Sequence, residues 1–341
     1  MRSVAALLLA AALLLAGCGT PEVSRSAGEP EILIGFSMDT LQEERWQRDR
    51  DLFVARAREL GAEVIVQAAS GDSFLQMSQA ENMIARGVDV LVVVPHDTAA
   101  MGPIVNKARA AGVKVVAYDR LITYVDLDYY LAFDSERAGA LQAQCLVDRL
   151  PRGRYALIGG APTDHNAYLL RRGVHSVLDP LKGSGDIEIL LDEMVADPSP
   201  AAAAELTERA LAQAEGQIDA FITAADATAA GVIQALAGRG LVGEVLVAGQ
   251  NADLDAMQRI LAGTQTMTVY KPIKELANAA AEVSVALASG EPVAASAAVF
   301  NGKHEVPSRL LQPVAVDATN WMETVVEDGF HREEEILGIR N

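Results

Sequence analysis

The chain has 341 residues, half of them apolar and about a fifth charged, with a formal net charge of −18. That length favours about two domains, and that composition excludes a disordered chain. A surface this acidic repels phosphate backbones, and no basic stripe offsets it, so nucleic acid is excluded as a partner.

Residues 1–17 read as an export leader. Arg2 is the only charged residue before Cys18, Val4 to Ala16 is an apolar run, and Leu15-Ala16-Gly17-Cys18 sets small residues directly before a cysteine. The apolar run is too short for a stable transmembrane span. The stretch resembles a bacterial lipobox, which implies that Cys18 is lipidated and becomes the mature amino terminus; the alternative is a plain secretory leader. Residues 18–30 form a tether, because Gly19 to Pro30 is small, polar and broken by Pro and Gly. As a flexible coil it spans on the order of 20 Å. No later segment reaches spanning length, so the expected membrane attachment is through lipid only. Cys145 is then alone, without a partner for an intramolecular disulfide. It lies in the amphipathic run Arg137–Arg149 and reads as a buried small hydrophobe.

From Ile32 the chain alternates between strand and helix patterns. Ile32–Phe36, Glu63–Gln67, Asp89–Val94 and Val113–Tyr118 read as strands, with helices over Gln42–Leu60, Ser73–Arg86 and Ala99–Ala111. Val90 to Val94 is apolar at every position, which implies burial on both faces, as in a parallel sheet covered by helices. After Tyr129–Phe133 the pattern restarts. Strands are predicted at Tyr155–Ile158, Ile187–Leu191, Ala220–Thr223 and Val245–Ala248, separated by helices near 164–179, 200–215, 227–239 and 253–262. Strand Thr266–Tyr270, helix Ile273–Ala288, strand Val314–Val316 and a short helix near Asn320–Glu327 finish the chain. The spacing points to βαβ units with right-handed crossovers in two α/β domains, the first completed by later sequence.

Several enzyme signatures fail. No Gly-rich loop ends in Lys-Ser or Lys-Thr, and Gly35-Phe36-Ser37-Met38 stands where a dinucleotide glycine pattern would be. The five histidines, His96, His165, His175, His304 and His331, show no metal-ligand spacing. They read as surface or capping residues, and no cofactor is expected. What remains is a set of polar groups at strand ends, where open α/β sheets bind ligands. Arg45 and Trp46 follow the first strand and Asp119-Arg120 the fourth. Asp164 and Asn166 follow Gly159-Gly160, Asp226 and Asn251 follow two further strands, and Lys271 follows Tyr270. Asp accepts, Arg donates and Asn does both, which suits paired hydroxyls; Trp46 can cover the C–H face of a sugar ring. No nucleophile–base or acid–base pair stands out, so the pattern reads as recognition without turnover. Each residue also has a plainer reading. Arg45 could be solvated in its charged run, Trp46 could be core, and Asp119 and Arg120 could pair with each other. Asp226 reads better as a helix N-cap than as a ligand contact.

Glu44-Arg45-Trp46-Gln47, Met77-Ser78-Gln79 with Glu81-Asn82-Met83-Ile84, and Ala117-Tyr118-Asp119-Arg120 resemble D-xylose-binding proteins of bacterial ABC importers. So do Gly263 to Pro272 and Val306-Pro307-Ser308-Arg309-Leu310-Leu311. The resemblance runs from about Ile32 to Glu335. It implies a fold of two doubly wound parallel-sheet α/β lobes joined by hinge strands, of the periplasmic-binding-protein kind, closing on a monosaccharide. One lobe would comprise 31–134 with about 272–305, the other 135–271 with about 306–335. The family's ligand positions fall on Arg45, Trp46, Asp119, Arg120, Asp164, Asn166 and Lys271, and a family carboxylate position on Asn251.

Three departures lie in the second lobe. Ala225-Asp226-Ala227-Thr228 stands where the family shows Asn-Asp-Ala-Thr, and Gly249-Gln250-Asn251-Ala252-Asp253 where it shows Gly-Gln-Asp-Ala-Asp. Pro198-Ser199-Pro200 replaces a Trp-Leu-Pro context. Losing these contacts weakens xylose binding by about two to four orders of magnitude. The expected protein is a lipid-anchored extracytoplasmic binding protein, not an enzyme. It would hand a monosaccharide, D-xylose or a related sugar, to an ABC permease; the alternative is a sugar-sensing subunit docking on a receptor kinase or chemoreceptor.

Overall fold

The structure, a computed structural model, describes residues 32–339. The expected leader, the tether and Cys18 lie outside the described residues. The chain begins with β1 (Ile32–Met38), α1 (Glu44–Glu59), β2 (Ala62–Ala68), α2 (Ser73–Ala85), β3 (Val90–Val93), α3 (Gly102–Ala110), β4 (Lys114–Tyr118) and β5 (Tyr129–Phe133). A second series follows with α4 (Ser135–Arg149), β6 (Gly153–Gly159), α5 (His165–Ser184), β7 (Ile187–Met194), α6 (Pro200–Gln213), β8 (Ala220–Thr223), α7 (Asp226–Ala237), β9 (Leu246–Ala248), α8 (Leu254–Leu261) and β10 (Thr268–Tyr270). The remainder is α9 (Ile273–Ala288), β11 (Ala297–Phe300), β12 (Glu305–Leu311), β13 (Val314–Val316), a five-residue π-helix (Met322–Val326) and α10 (Glu333–Ile336).

The first sheet has the order β11-β12-β5-β4-β3-β1-β2, parallel throughout except where β11 pairs antiparallel with β12 at the edge. Its apolar strands divide their side chains between two cores, as the period-2 geometry of a strand requires. Val90, Val92, Val116 and Tyr118 pack towards α1 and α9, while Leu91, Val93, Val115 and Ala117 pack towards α2 and α3. The second sheet, β7-β6-β8-β9, is parallel and splits in the same way, Tyr155 and Leu157 to one side and Ala156 and Ile158 to the other. β10 and β13 form a separate antiparallel pair, joined to β9 by one bridge between Ala248 and Met267.

The chain passes between the lobes three times, after Phe133, after Tyr270 and after Leu311. The first and third passages are tied together, since the Asp134 amide donates to the Leu311 carbonyl at 2.9 Å. The last passage corrects the boundary expected near 305/306. β12 runs parallel to β5 from Ser308 opposite Tyr130 to Leu311 opposite Phe133, so 306–311 belong to the first lobe. Pro307 sits inside this strand and disguises it, because proline cannot donate to a ladder.

Helix packing sets the second half of the site. At Gly139 in α4 and Gly173 in α5, a Cβ would overlap a backbone carbonyl of the opposite helix, so the two backbones can approach only because both residues are glycine. That contact fixes α5, whose N-cap is Asp164 and whose first turn carries Asn166. Among the described residues no helix is long and apolar enough to cross a membrane.

Candidate ligand-binding cleft

Both sheets change strand direction order at their centres, and the carboxyl ends on either side of such a point leave a crevice. In the first lobe those ends deliver Asp39 after β1, His96 after β3 and Asp119-Arg120 after β4. In the second they deliver Gly160 to Asp164 after β6, Ala224-Ala225 after β8 and Gln250-Asn251 after β9. The two sets face each other across one cavity of ≈ 510 Å³. Arg45, Trp46, Asp119, Arg120, Asp164, Asn166, Asn251 and Lys271 all line it.

The first-lobe wall is buried and charged. Asp119 adopts a left-handed backbone conformation (φ 63°), an arrangement Asp tolerates better than most residues. Its carboxylate is ion-paired with the Arg45 guanidinium, which also reaches Asp49 at 3.3 Å and stacks 4.4 Å from the Trp46 ring centroid. Burial works against charge on Arg45, but Asp119 and Asp49 outweigh it and raise its pKa. Burial likewise pushes the Asp119 carboxyl up, yet Arg45, Lys271 and Arg120 together hold it below its ordinary value. Asp49 lies deeper, hydrogen-bonded by the Tyr118 hydroxyl, and burial lifts its pKa to about 6. Lys271 sits at the second passage between lobes, where burial and the neighbouring Arg45 charge lower its pKa to about 8.

Three of the plainer readings are settled by these positions. Arg45 is not solvated, with only 9 % of its side chain exposed. Trp46 is 3 % exposed and belongs to the core beneath α1 while also lining the cleft. Asp119 and Arg120 do not pair with each other: Arg120 Nη1 donates to Asp39 Oδ2 at 2.7 Å and to the Pro95 carbonyl at 3.0 Å.

The second-lobe wall is of another kind. Asp164 caps α5 by accepting from the Asn166 amide at 2.9 Å, and its other oxygen lies 3.7 Å from Arg120 Nε. Asn166 Nδ2 crosses the cleft to donate to the Asp119 carbonyl at 2.8 Å and to its Oδ1 at 3.1 Å. Around these groups the wall is Ala161, Ala196, Pro198, Ala224 and Ala225. The three positions that depart from the family pattern, Pro198, Ala225 and Asn251, all line this side.

Three buried polar atoms on the cleft have no hydrogen-bond partner: Trp46 Nε1, Asn166 Oδ1 and Gln250 Oε1. An unsatisfied buried donor or acceptor is costly, so one donor and two acceptors stand ready for a hydroxylated ligand. A larger cavity of ≈ 780 Å³ lies behind α1, between Arg48, Tyr270 and the segment Asp328–Arg332. There Arg48 donates to the Phe330 carbonyl and the Tyr270 hydroxyl to Asp328.

Sequence reasoning passed over Asp39, His96 and Gln250. His96 neither caps a helix nor sits free on the surface; its Nδ1 contacts Asp39 at 2.9 Å on the cleft. Position just beyond a strand end was the available signal for all three. Asp226 is a correction in the other direction. The N-cap of α7 is Ala225, and Asp226 is fully buried below the cleft. It accepts from Gln265 Nε2 at 2.8 Å, Thr268 Oγ1 at 2.9 Å and the Asp253 amide at 3.0 Å, tying α7 to β10 and to the start of α8. Burial and the nearby Asp253 push its carboxyl up to about 8. Among the described residues no group of three or more His, Cys, Asp or Glu is placed to hold a metal ion.

The comparisons with known proteins agree with this geometry. A periplasmic binding protein domain profile matches residues 34–292. The chain is 49 % identical over 311 residues to the D-xylose-binding periplasmic protein of Escherichia coli, covering 91 % of this chain and 94 % of that one. It is 32 % identical to the multiple sugar-binding periplasmic receptor ChvE of Rhizobium radiobacter, covering 98 % and 100 %. In three dimensions it matches an ABC transporter solute-binding protein of Clostridium phytofermentans with bound β-D-glucose. That match has a TM-score of 0.82 and 30 % identity, over 89 % of this chain and 99 % of that one. A two-lobed α/β chain with its polar strand ends gathered on one cleft, matched by this profile and at these identities, belongs to the periplasmic binding protein family and is a binding protein, not an enzyme.

Proposed function

We propose that the chain captures a monosaccharide, D-xylose or a closely related sugar, between its lobes and delivers it to an ABC permease. The observation that carries this reading is the meeting of unmet hydrogen-bonding atoms from both lobes on one cavity: Trp46 Nε1 from the first, Asn166 Oδ1 and Gln250 Oε1 from the second. The 49 % identity to a D-xylose-binding protein supports the choice of sugar. In this reading Arg45, Asp119, Arg120, Asp164 and Asn166 bond hydroxyls, Trp46 covers one ring face, Asn251 contacts the sugar from the second lobe, and Lys271 acts at the hinge. The sugar favours the closed state because only there does it touch both walls.

Cys18 is the proposed lipid anchor, with residues 18–30 as the tether. Incorporation of labelled palmitate that disappears in Cys18→Ser supports it; unlabelled wild-type protein refutes it. For the sugar, the test is calorimetry against a pentose and hexose panel. The expected result is a saturable isotherm, one sugar per chain, for D-xylose or a near relative. Flat titrations for every sugar sink the proposal.

A second reading, sensing on behalf of a membrane receptor, is favoured by the relative described as a receptor. Deleting this chain from a strain that keeps the permease separates the two. Loss of sugar uptake on deleting this chain supports transport, and an intact uptake with a lost transcriptional response supports sensing.

A further inference from the structure

Arg120 is a long side chain on the cleft with two carboxylates in reach, one on each lobe. Its Nη1 is 2.7 Å from Asp39 Oδ2, and its Nε is 3.7 Å from Asp164 Oδ2. The second contact is an ion pair too long for a hydrogen bond, so the Nε–H and the Asp164 oxygen attract each other while their hydrogen-bonding capacity stays open. Which carboxylate holds Arg120 therefore decides whether both groups remain available to a ligand.

The support behind Asp39 is built from several elements. Asp39 is only 8 % exposed in its side chain, and its second oxygen, Oδ1, contacts His96 Nδ1 at 2.9 Å. Its carbonyl accepts from the amides of Ala69 and Gly71, which fixes the backbone beside the carboxylate. His96 is placed by Gln76, a fully buried residue of α2. Gln76 Oε1 accepts from the His96 amide at 2.9 Å, and its Nε2 donates to the Val94 carbonyl at 2.7 Å. The same turn presents the Pro95 carbonyl to Arg120 at 3.0 Å. One turn thus grips Arg120 directly through Pro95 and indirectly through His96 and Asp39. Since an ionised carboxylate only accepts, His96 carries its proton on Nδ1.

We propose that His96 is a positioning residue for the sugar site: it locks the Asp39 carboxylate, and through it holds Arg120 just beyond hydrogen-bond reach of Asp164 so that both face the ligand. Without the imidazole, Asp39 Oδ1 is free to turn to solvent, and Arg120 loses its fixed partner. The guanidinium then moves towards Asp164 and shortens the 3.7 Å ion pair to a hydrogen-bonded one, consuming two of the groups a sugar would use. The charged groups in contact with this unit are Asp39 beyond β1, Arg120 beyond β4 and Asp164 at the start of α5.

The inference rests on the sugar-binding reading only for its affinity arm, so the test has a second arm without sugar. In the purified, 15N-labelled chain, the Arg120 Nε–H resonance is assigned by its loss in Arg120→Lys. In His96→Ala that resonance is expected to shift and broaden, and calorimetry with D-xylose to show roughly three- to tenfold weaker binding, the worth of one hydrogen bond in this setting. His96→Asn, whose Nδ2 takes the place of Nδ1, restores both, which a loss of packing alone would not produce. An unchanged Arg120 resonance in His96→Ala, or failure of His96→Asn to restore it, overturns the inference. If no sugar binds the wild-type chain, the sugar-binding proposal falls while the resonance arm still decides the role of His96.

Discussion

The two walls of the cleft are built on opposite plans. On the first lobe, Arg45–Asp119 and Arg120–Asp39 form two ion pairs whose guanidiniums both lie over Trp46. On the second, Asp164, Asn166, Gln250 and Asn251 are set among alanines and a proline. A wall of interlocked charges is rigid, because moving one member leaves another unpaired in a low-dielectric site. A wall of alanines holds a ligand by shape and leaves room for variation. The contrast assigns orientation of the sugar to the first lobe, and tolerance of which sugar is bound to the second.

The largest effect should come from breaking the charged wall. Asp119→Asn leaves the buried Arg45 without its close partner, which costs about 3–5 kcal/mol in stability. It should also weaken D-xylose binding by more than about 100-fold; chemical denaturation and calorimetry read the two effects separately. A binding loss below about tenfold would mean that the first wall does not dominate.

Next comes the support under the second wall. Asp226→Ala removes the acceptor of the buried Gln265 and Thr268 side chains and of the part-buried Asp253 amide. A loss of about 2–4 kcal/mol in unfolding free energy is expected. A denaturation midpoint close to wild type would show that this latch does not hold α7 and β10 together.

The alanine wall can also be improved. Ala225→Asn supplies an amide at a position on the cleft where the family pattern has one, and should tighten D-xylose binding by about 10- to 100-fold. An unchanged dissociation constant would show that the second wall is not the weak half of the site.

The smallest effect is one of pH. Lys271, with an ordinary value of 10.5, titrates at about 8 in the folded chain because of burial and the Arg45 charge. If its ammonium serves the sugar, affinity should fall about tenfold as pH rises from about 8 to about 9, and Lys271→Met should abolish that dependence. The stability contribution has the opposite sign. Between about 8 and 10.5 the unfolded chain keeps the proton that the folded chain has released, so folding gains stability as pH rises through that window. Parallel changes in affinity and stability would contradict this assignment.

Much of the molecule could be read from residues alone, for reasons the structure makes plain. Val90 to Val93 and Val115 to Tyr118 are buried on both faces, so their apolar runs carried an unambiguous strand signal. Asp119-Arg120 closed such a run, and strand ends are where this architecture binds. The hidden parts depend on pairing at a distance. β12 is interrupted by Pro307 and has its partner β5 far back in sequence. The Asp39–His96 contact exists only because β1 and β3 are neighbours in the sheet. Asp226 looked like a helix cap because its partners, Gln265 and Thr268, arrive about forty residues later.

The central claim, that a sugar sits between a charged wall and an alanine wall, is tested most directly by a crystal structure grown with D-xylose. The account predicts one sugar in the ≈ 510 Å³ cleft, its hydroxyls bonded to Asp119, Arg120, Asp164 and Asn166 and one ring face against Trp46. A sugar bound instead in the ≈ 780 Å³ cavity behind α1, or facing the first lobe without touching Asp119 or Arg120, would contradict it.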